Sequence, residues 1–245
     1  MILKRLLNFL FCGFVILSLS ASAWASAMPT EDFETRLSSF RKEMIAACAQ
    51  FQAGKPRESN EQFDTELVAL EKSWTSLASD FRAAPPTPYT GDAKWPQYFD
   101  LVQGNLQVMR AAVAGGHYNK AFETCGVTCT LFVTMHENNG ISTVCDKLFG
   151  FRKQAKTMLA QIKTGHAEAA KLQLSALLSQ RDAVLLTPVP EKSAAEKDDY
   201  LRLVKEFSNS VDAFATVLVN GSPDAALVSY EAMMKAFAGV YNRYI

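Results

Sequence analysis

The chain has 245 residues, with 25 Lys and Arg against 25 Asp and Glu, and 49% of its residues are apolar, enough for packed cores. A neutral chain with no basic stripe lacks the charge that grips phosphates, so nucleic acid is excluded as the expected partner. The length allows two small domains.

The chain opens with Lys4 and Arg5, an apolar run over residues 6–19, and small residues over 21–27 with several A-x-A matches. This order of basic, apolar and small segments reads as a secretory signal peptide over 1–27. Cleavage after Ala27 leaves 23 basic and 25 acidic side chains, with no later apolar run long enough to span a membrane. The expected location is the periplasm, where disulfides persist. Four cysteines remain in the mature chain: Cys48, Cys125, Cys129 and Cys145.

Apolar residues then recur at helical spacing throughout. The first four helices are expected near 30–53, 60–83, 96–115 and 117–138. The next four are expected near 142–164, 166–185, 193–219 and 223–243. Gly54, Gly115, Gly116, Gly165 and Gly221 punctuate their ends, and Pro-containing stretches lie at 85–96 and 188–190. His117 and His166 follow turn glycines as solvated helix starts, and Trp74 and Trp95 read as packing residues.

The second set of helices repeats the first. Residues 37–54 align without a gap on 148–165, with seven of 18 positions identical, where ordinary composition predicts roughly one or two. Tyr98, Leu101 and Val102 match Tyr200, Leu203 and Val204; Gly116, Ala121 and Phe132 match Gly221, Ala226 and Phe237. The expected fold is all-α: two tandem antiparallel up-down-up-down four-helix bundles, over 28–140 and 141–245.

Two places carry possible chemistry. His136 lies on the core stripe at the end of the fourth helix, reading either as a packing residue whose imidazole caps the last carbonyls or as a ligand. Its counterpart in the repeat is Tyr241. Cys125 and Cys129 are one turn apart on the same helix face, and Cys48 and Met44 fall near their level on the first helix. Soft sulfurs so placed suit a cuprous ion through Cys48, Cys125 and Cys129. A disulfide from Cys48 to Cys125 or Cys129, or plain packing of free thiols, fits the same positions. The repeat places Leu159, Tyr230 and Met234 there, so any thiol site is single. No G-x-S-x-G, H-E-x-x-H, C-x-x-C or phosphate loop occurs, and an enzyme is not expected.

The order of Pro85 and Pro86, the run Tyr98, Phe99, Asp100, Leu101 and Val102, then Gly116, Ala121 and His136 resembles the periplasmic four-helix-bundle cytochromes. These comprise the soluble b-type cytochrome and the class II c-type cytochromes. The resemblance implies a non-covalent haem b held through His136 and a role in electron transfer with an unnamed redox partner. It departs from the c-type members at Cys129, Phe132 and Val133, where C-x-x-C-H would stand, so covalent haem c is excluded. The b-type Met ligand falls at Phe33 or Leu37, with Met28 the only thioether nearby. The alternative expectation is a haem-less periplasmic binding or interaction module.

Overall fold

The computed structural model describes residues 30–51, 60–188 and 194–244. The signal peptide reading over 1–27, Met28, Gly54 and Pro190 lie outside the described residues. Among the described residues the chain is all-α, with no strand and nine α-helices. They are α1 (Thr30–Gln50), α2 (Asn60–Phe81), α3 (Trp95–Ala114), α4 (Tyr118–Asn138), α5 (Val144–Lys163), α6 (Ala167–Leu172), α7 (Leu174–Leu186), α8 (Ala194–Asn220) and α9 (Pro223–Tyr244). No described helix is long and apolar enough to cross a membrane.

The sixth expected helix is broken. A turn at Gln173 separates α6 from α7. There the Gln173 N–H donates to the Ala170 carbonyl in a tight three-residue turn, and its side-chain oxygen accepts from Gln154 Nε2 of α5 at 2.9 Å. The cross-helix bond fixes the bend, and Leu172 is left 85% exposed beside it. Apolar spacing continues through the turn, because Ala170, Leu177 and Val184 all stay buried.

Side chains are buried in two clusters. The first draws on α1 to α4, from Phe33 to Met135, and the second on α5 to α9, from Val144 to Tyr241. Helix α1 packs against α2 and α4, and α3 against α2 and α4. In the second set α5 packs against α6, α7 and α9, and α8 against α7 and α9. Ile45 of α1 packs against both clusters.

Residues matched by the sequence repeat share their burial: Tyr98 with Tyr200, Val102 with Val204, Ala121 with Ala226, and Phe132 with Phe237. Ring pairs match as well. Phe40 meets Phe132 at 6.0 Å, and the matched Phe151 meets Phe237 at 5.7 Å. Trp74 and Trp95 are fully buried in the first cluster, their indole N–H groups donating to the carbonyls of Phe99 and Phe81. A buried indole keeps its apolar body in the core only where its one donor finds such a partner.

The junction between the two sets is short. Helix α4 ends at Asn138, and Gly140 takes φ +68°, a left-handed conformation that a side chain disfavours. That turn lets the Ile141 N–H reach back to the His136 carbonyl at 2.9 Å, closing a Schellman-type end. Three residues later α5 starts with a capping box: Thr143 Oγ1 accepts from the Asp146 N–H, and Asp146 Oδ2 accepts from the Thr143 N–H.

Candidate functional site

The junction buries a charged cluster. His136 is 1% exposed and its Nδ1 lies 2.6 Å from Asp146 Oδ2. Arg41 Nη1 of α1 donates to Asp146 Oδ1 at 2.9 Å, and Thr143 Oγ1 donates to Oδ2 at 2.7 Å. On the other side of the ring, His136 Nε2 lies 3.3 Å from Glu34 Oε2 of α1, within ion-pair reach but without a well-formed hydrogen bond. Glu34 in turn accepts from the Tyr89 hydroxyl, which a 3₁₀ turn at Thr87–Tyr89 places beside it. The Arg41 guanidinium also lies 5.5 Å from the Phe132 ring centre.

Burial alone would strip the proton from His136, but Asp146 and Glu34 outweigh it and push the pKa up to about 9. Burial would likewise raise Asp146, yet hydrogen bonding from His136 and the charge of Arg41 bring it down to about 2. Burial and the Glu34 carboxylate push the Tyr89 hydroxyl above its ordinary value, so Tyr89 acts as a donor. The cluster at neutral pH is therefore a buried imidazolium between two carboxylates, with a guanidinium on one of them.

This arrangement gives His136 two carboxylate neighbours. Iron ligation needs a neutral imidazole with a free lone pair, and here Nδ1 is hydrogen-bonded to Asp146 while Nε2 lies within ion-pair reach of Glu34. The ring is buried on the core stripe of α4, as its packing reading expects. Sequence reasoning missed Asp146 and Glu34 as partners, although Thr143-x-x-Asp146 is a readable capping signal.

The thiols resolve differently. Cys48 and Cys125 form a disulfide, with Cα atoms 6.3 Å apart, inside the ordinary range. Met109 Sδ lies 3.3 Å from Cys125 Sγ. Cys129 is a free, buried thiol and Cys145 a free, partly buried one; burial raises the pKa of both, Cys145 to about 12. Of the three sulfurs in the copper expectation, those of Cys48 and Cys125 are bonded to each other here, and Cys129 is free. Among the described residues no group of three or more His, Cys, Asp or Glu side chains is placed to hold a metal ion. His117 and His166 are exposed at helix starts, and Tyr241 is buried against Phe237.

The same disulfide borders a recess of about 410 Å³ where α1, α4 and α5 meet. Its walls are mostly apolar: Ile45, Ala49, the Cys48–Cys125 bridge, Phe122 and Phe149. Gly126 also lines it, with no atom within 4 Å of where its Cβ would stand. The volume falls within the roughly 300–1,000 Å³ typical of small-molecule sites.

Comparison with protein-family models, with curated proteins and with solved structures finds no match for this chain.

Proposed function

We propose that the protein is an exported, haem-less binding module, built from two duplicated antiparallel four-helix units, that takes an apolar ligand in the recess bordered by α1, α4 and α5. The observation that carries this reading is the apolar, ligand-sized recess walled by Phe122, Phe149 and the Cys48–Cys125 bridge. Duplication is supported by the shared burial of matched residues and by the equivalent ring pairs Phe40–Phe132 and Phe151–Phe237. Export to the periplasm is supported by the signal-like order of residues 1–27 and by the disulfide, a bond kept in oxidising compartments. The electron-carrier alternative is disfavoured by the protonated, carboxylate-bound state of His136.

Titration with the neutral dye N-phenylnaphthylamine tests the reading. One dye should bind per chain with a rise in fluorescence, and Gly126→Leu, which places a side chain where open space now stands, should abolish it. Leucine is a better helix former than glycine by up to about 1 kcal/mol, so this variant keeps the fold. Absence of dye binding would remove the module reading. Haemin titration should give no Soret band that depends on His136; a band lost in His136→Ala would restore the cytochrome reading.

A further inference from the structure

The recess has a charged edge that its apolar walls do not explain. Helix α5 lines it with Arg152, Lys153 and Lys156. Arg152 and Lys156 are four residues apart and so share one helix face. One carboxylate, Glu123 of α4, lines the recess opposite them, and it makes no ion pair with any of the three.

Elsewhere the protein pairs its arginines consistently. Among the described residues Arg36, Arg41, Arg82, Arg110, Arg181, Arg202 and Arg243 each lie within ion-pair distance of a carboxylate. Arg152 is the exception among the described residues. Its guanidinium lies 5.8 Å from the Tyr241 ring centre instead, and the Lys156 amine 5.0 Å from that of Phe122. The repeat sharpens the contrast, because Arg152 is the counterpart of Arg41, and Arg41 is held by Asp146. Partial burial and the nearby Arg152 charge hold the Lys156 pKa below its usual value, so the amine sits beside a like charge without a counter-ion.

We propose that the recess binds an amphiphile with an anionic head, its apolar body against Ile45, Phe122 and Phe149 and its head among Arg152, Lys153 and Lys156. This rests on the module reading above and names the ligand class for that same recess. The head can be a carboxylate or a phosphate monoester, because both carry the charge and the acceptor oxygens that a guanidinium and two ammonium groups complement. A cationic head would face three like charges.

The test is displacement of N-phenylnaphthylamine from the disulfide-bonded protein by four twelve-carbon chains below their micelle concentrations. These are dodecanoate, dodecyl phosphate, dodecanol and dodecyltrimethylammonium. At least one of the two anions should displace the dye at concentrations about tenfold below dodecanol, the ratio that about 1.4 kcal/mol of charge interaction gives. The trimethylammonium chain should be weakest. Whichever anion is stronger identifies the head chemistry. Lys156→Gln combined with Arg152→Gln should abolish the advantage of the anions over dodecanol. Higher salt should narrow the gap in the same direction. Equal displacement by anion and alcohol, with the dye still bound, would overturn the anionic-head inference and leave the module reading standing. Failure of the dye itself to bind would overturn both.

Discussion

The two halves of the molecule share a packing scheme but are fastened differently. In the first, α1 and α4 are joined by the Cys48–Cys125 disulfide, and His136 and Arg41 meet the α5 carboxylate of Asp146. In the second, the matched positions hold Leu159, Tyr230 and Tyr241, and the matched arginine lies near the Tyr241 ring. Ring pairs and buried stripes persist in both halves, so the packing survives without the bond or the ion cluster. The fastenings of the first half therefore act on the seam where α1, α4 and α5 meet, and that seam also forms the recess.

Several perturbations separate the halves. Asp146→Asn should have the largest effect, a loss of about 3–5 kcal/mol in denaturant unfolding, because it leaves His136 and Arg41 buried without their shared anion. The parallel change Arg152→Gln in the second half should cost about 1 kcal/mol or less, the scale of a cation–aromatic contact at a partly exposed site. Equal costs for the two would erase the distinction between the halves.

Reduction of the disulfide, or Cys48→Ser with Cys125→Ser, should lower stability by about 2–4 kcal/mol. The loss should appear in tryptophan fluorescence, since Trp74 and Trp95 both lie in the first core. Thiol titration of the unfolded, unreduced protein lacking residues 1–27 should find two free sulfhydryls, those of Cys129 and Cys145.

The charged cluster gives pH dependence at both ends. His136 is raised from 6.5 to about 9, so its stabilisation is complete below pH 6.5 and fades as pH rises through about 9. Asp146 is lowered from 3.8 to about 2, so its stabilisation is complete above pH 3.8 and fades as pH falls toward about 2. Denaturation midpoints measured across pH should fall on both sides of that window. His136→Gln should flatten the alkaline side. A midpoint that climbs from pH 7 to 9 in the parent but not in His136→Gln would contradict the imidazolium assignment.

A small effect is also expected at the junction cap. Thr143→Ala removes one donor to Asp146 and one acceptor for the α5 backbone, and should cost about 1 kcal/mol. Circular dichroism melting against the Asp146→Asn variant would place the two on one scale.

The all-α content is legible in the sequence, because helices follow from a 3.6-residue period. The break at Gln173 is not legible, since it depends on Gln154 of a neighbouring helix while the apolar stripe runs on unbroken. The spacing leaves Cys48 open to a disulfide with Cys125 or Cys129, to plain packing or to copper, because Cys125 and Cys129 share a face. Choosing between them requires the approach of α1 to α4, in which Cys48 meets Cys125 and Cys129 stays a free thiol. The partners of His136 are hidden from the sequence for a similar reason. Its place on α4 resembles a ligand position, but its chemistry is set by Glu34, about a hundred residues earlier, and by Asp146, beyond a turn. The recess and its cationic edge were not read from the sequence, because they arise where α1, α4 and α5 converge.

The disulfide has a topological consequence. Its two cysteines are 77 residues apart, so the intervening chain, α2 and α3 included, forms a covalent ring. A protease that cuts once between Phe81 and Trp95 opens that ring without dividing the molecule. The nicked protein keeps its full mass on a non-reducing gel and separates into two fragments only when thiol is added. A single cut after Leu186, outside the ring, releases the C-terminal piece as soon as the fold is denatured.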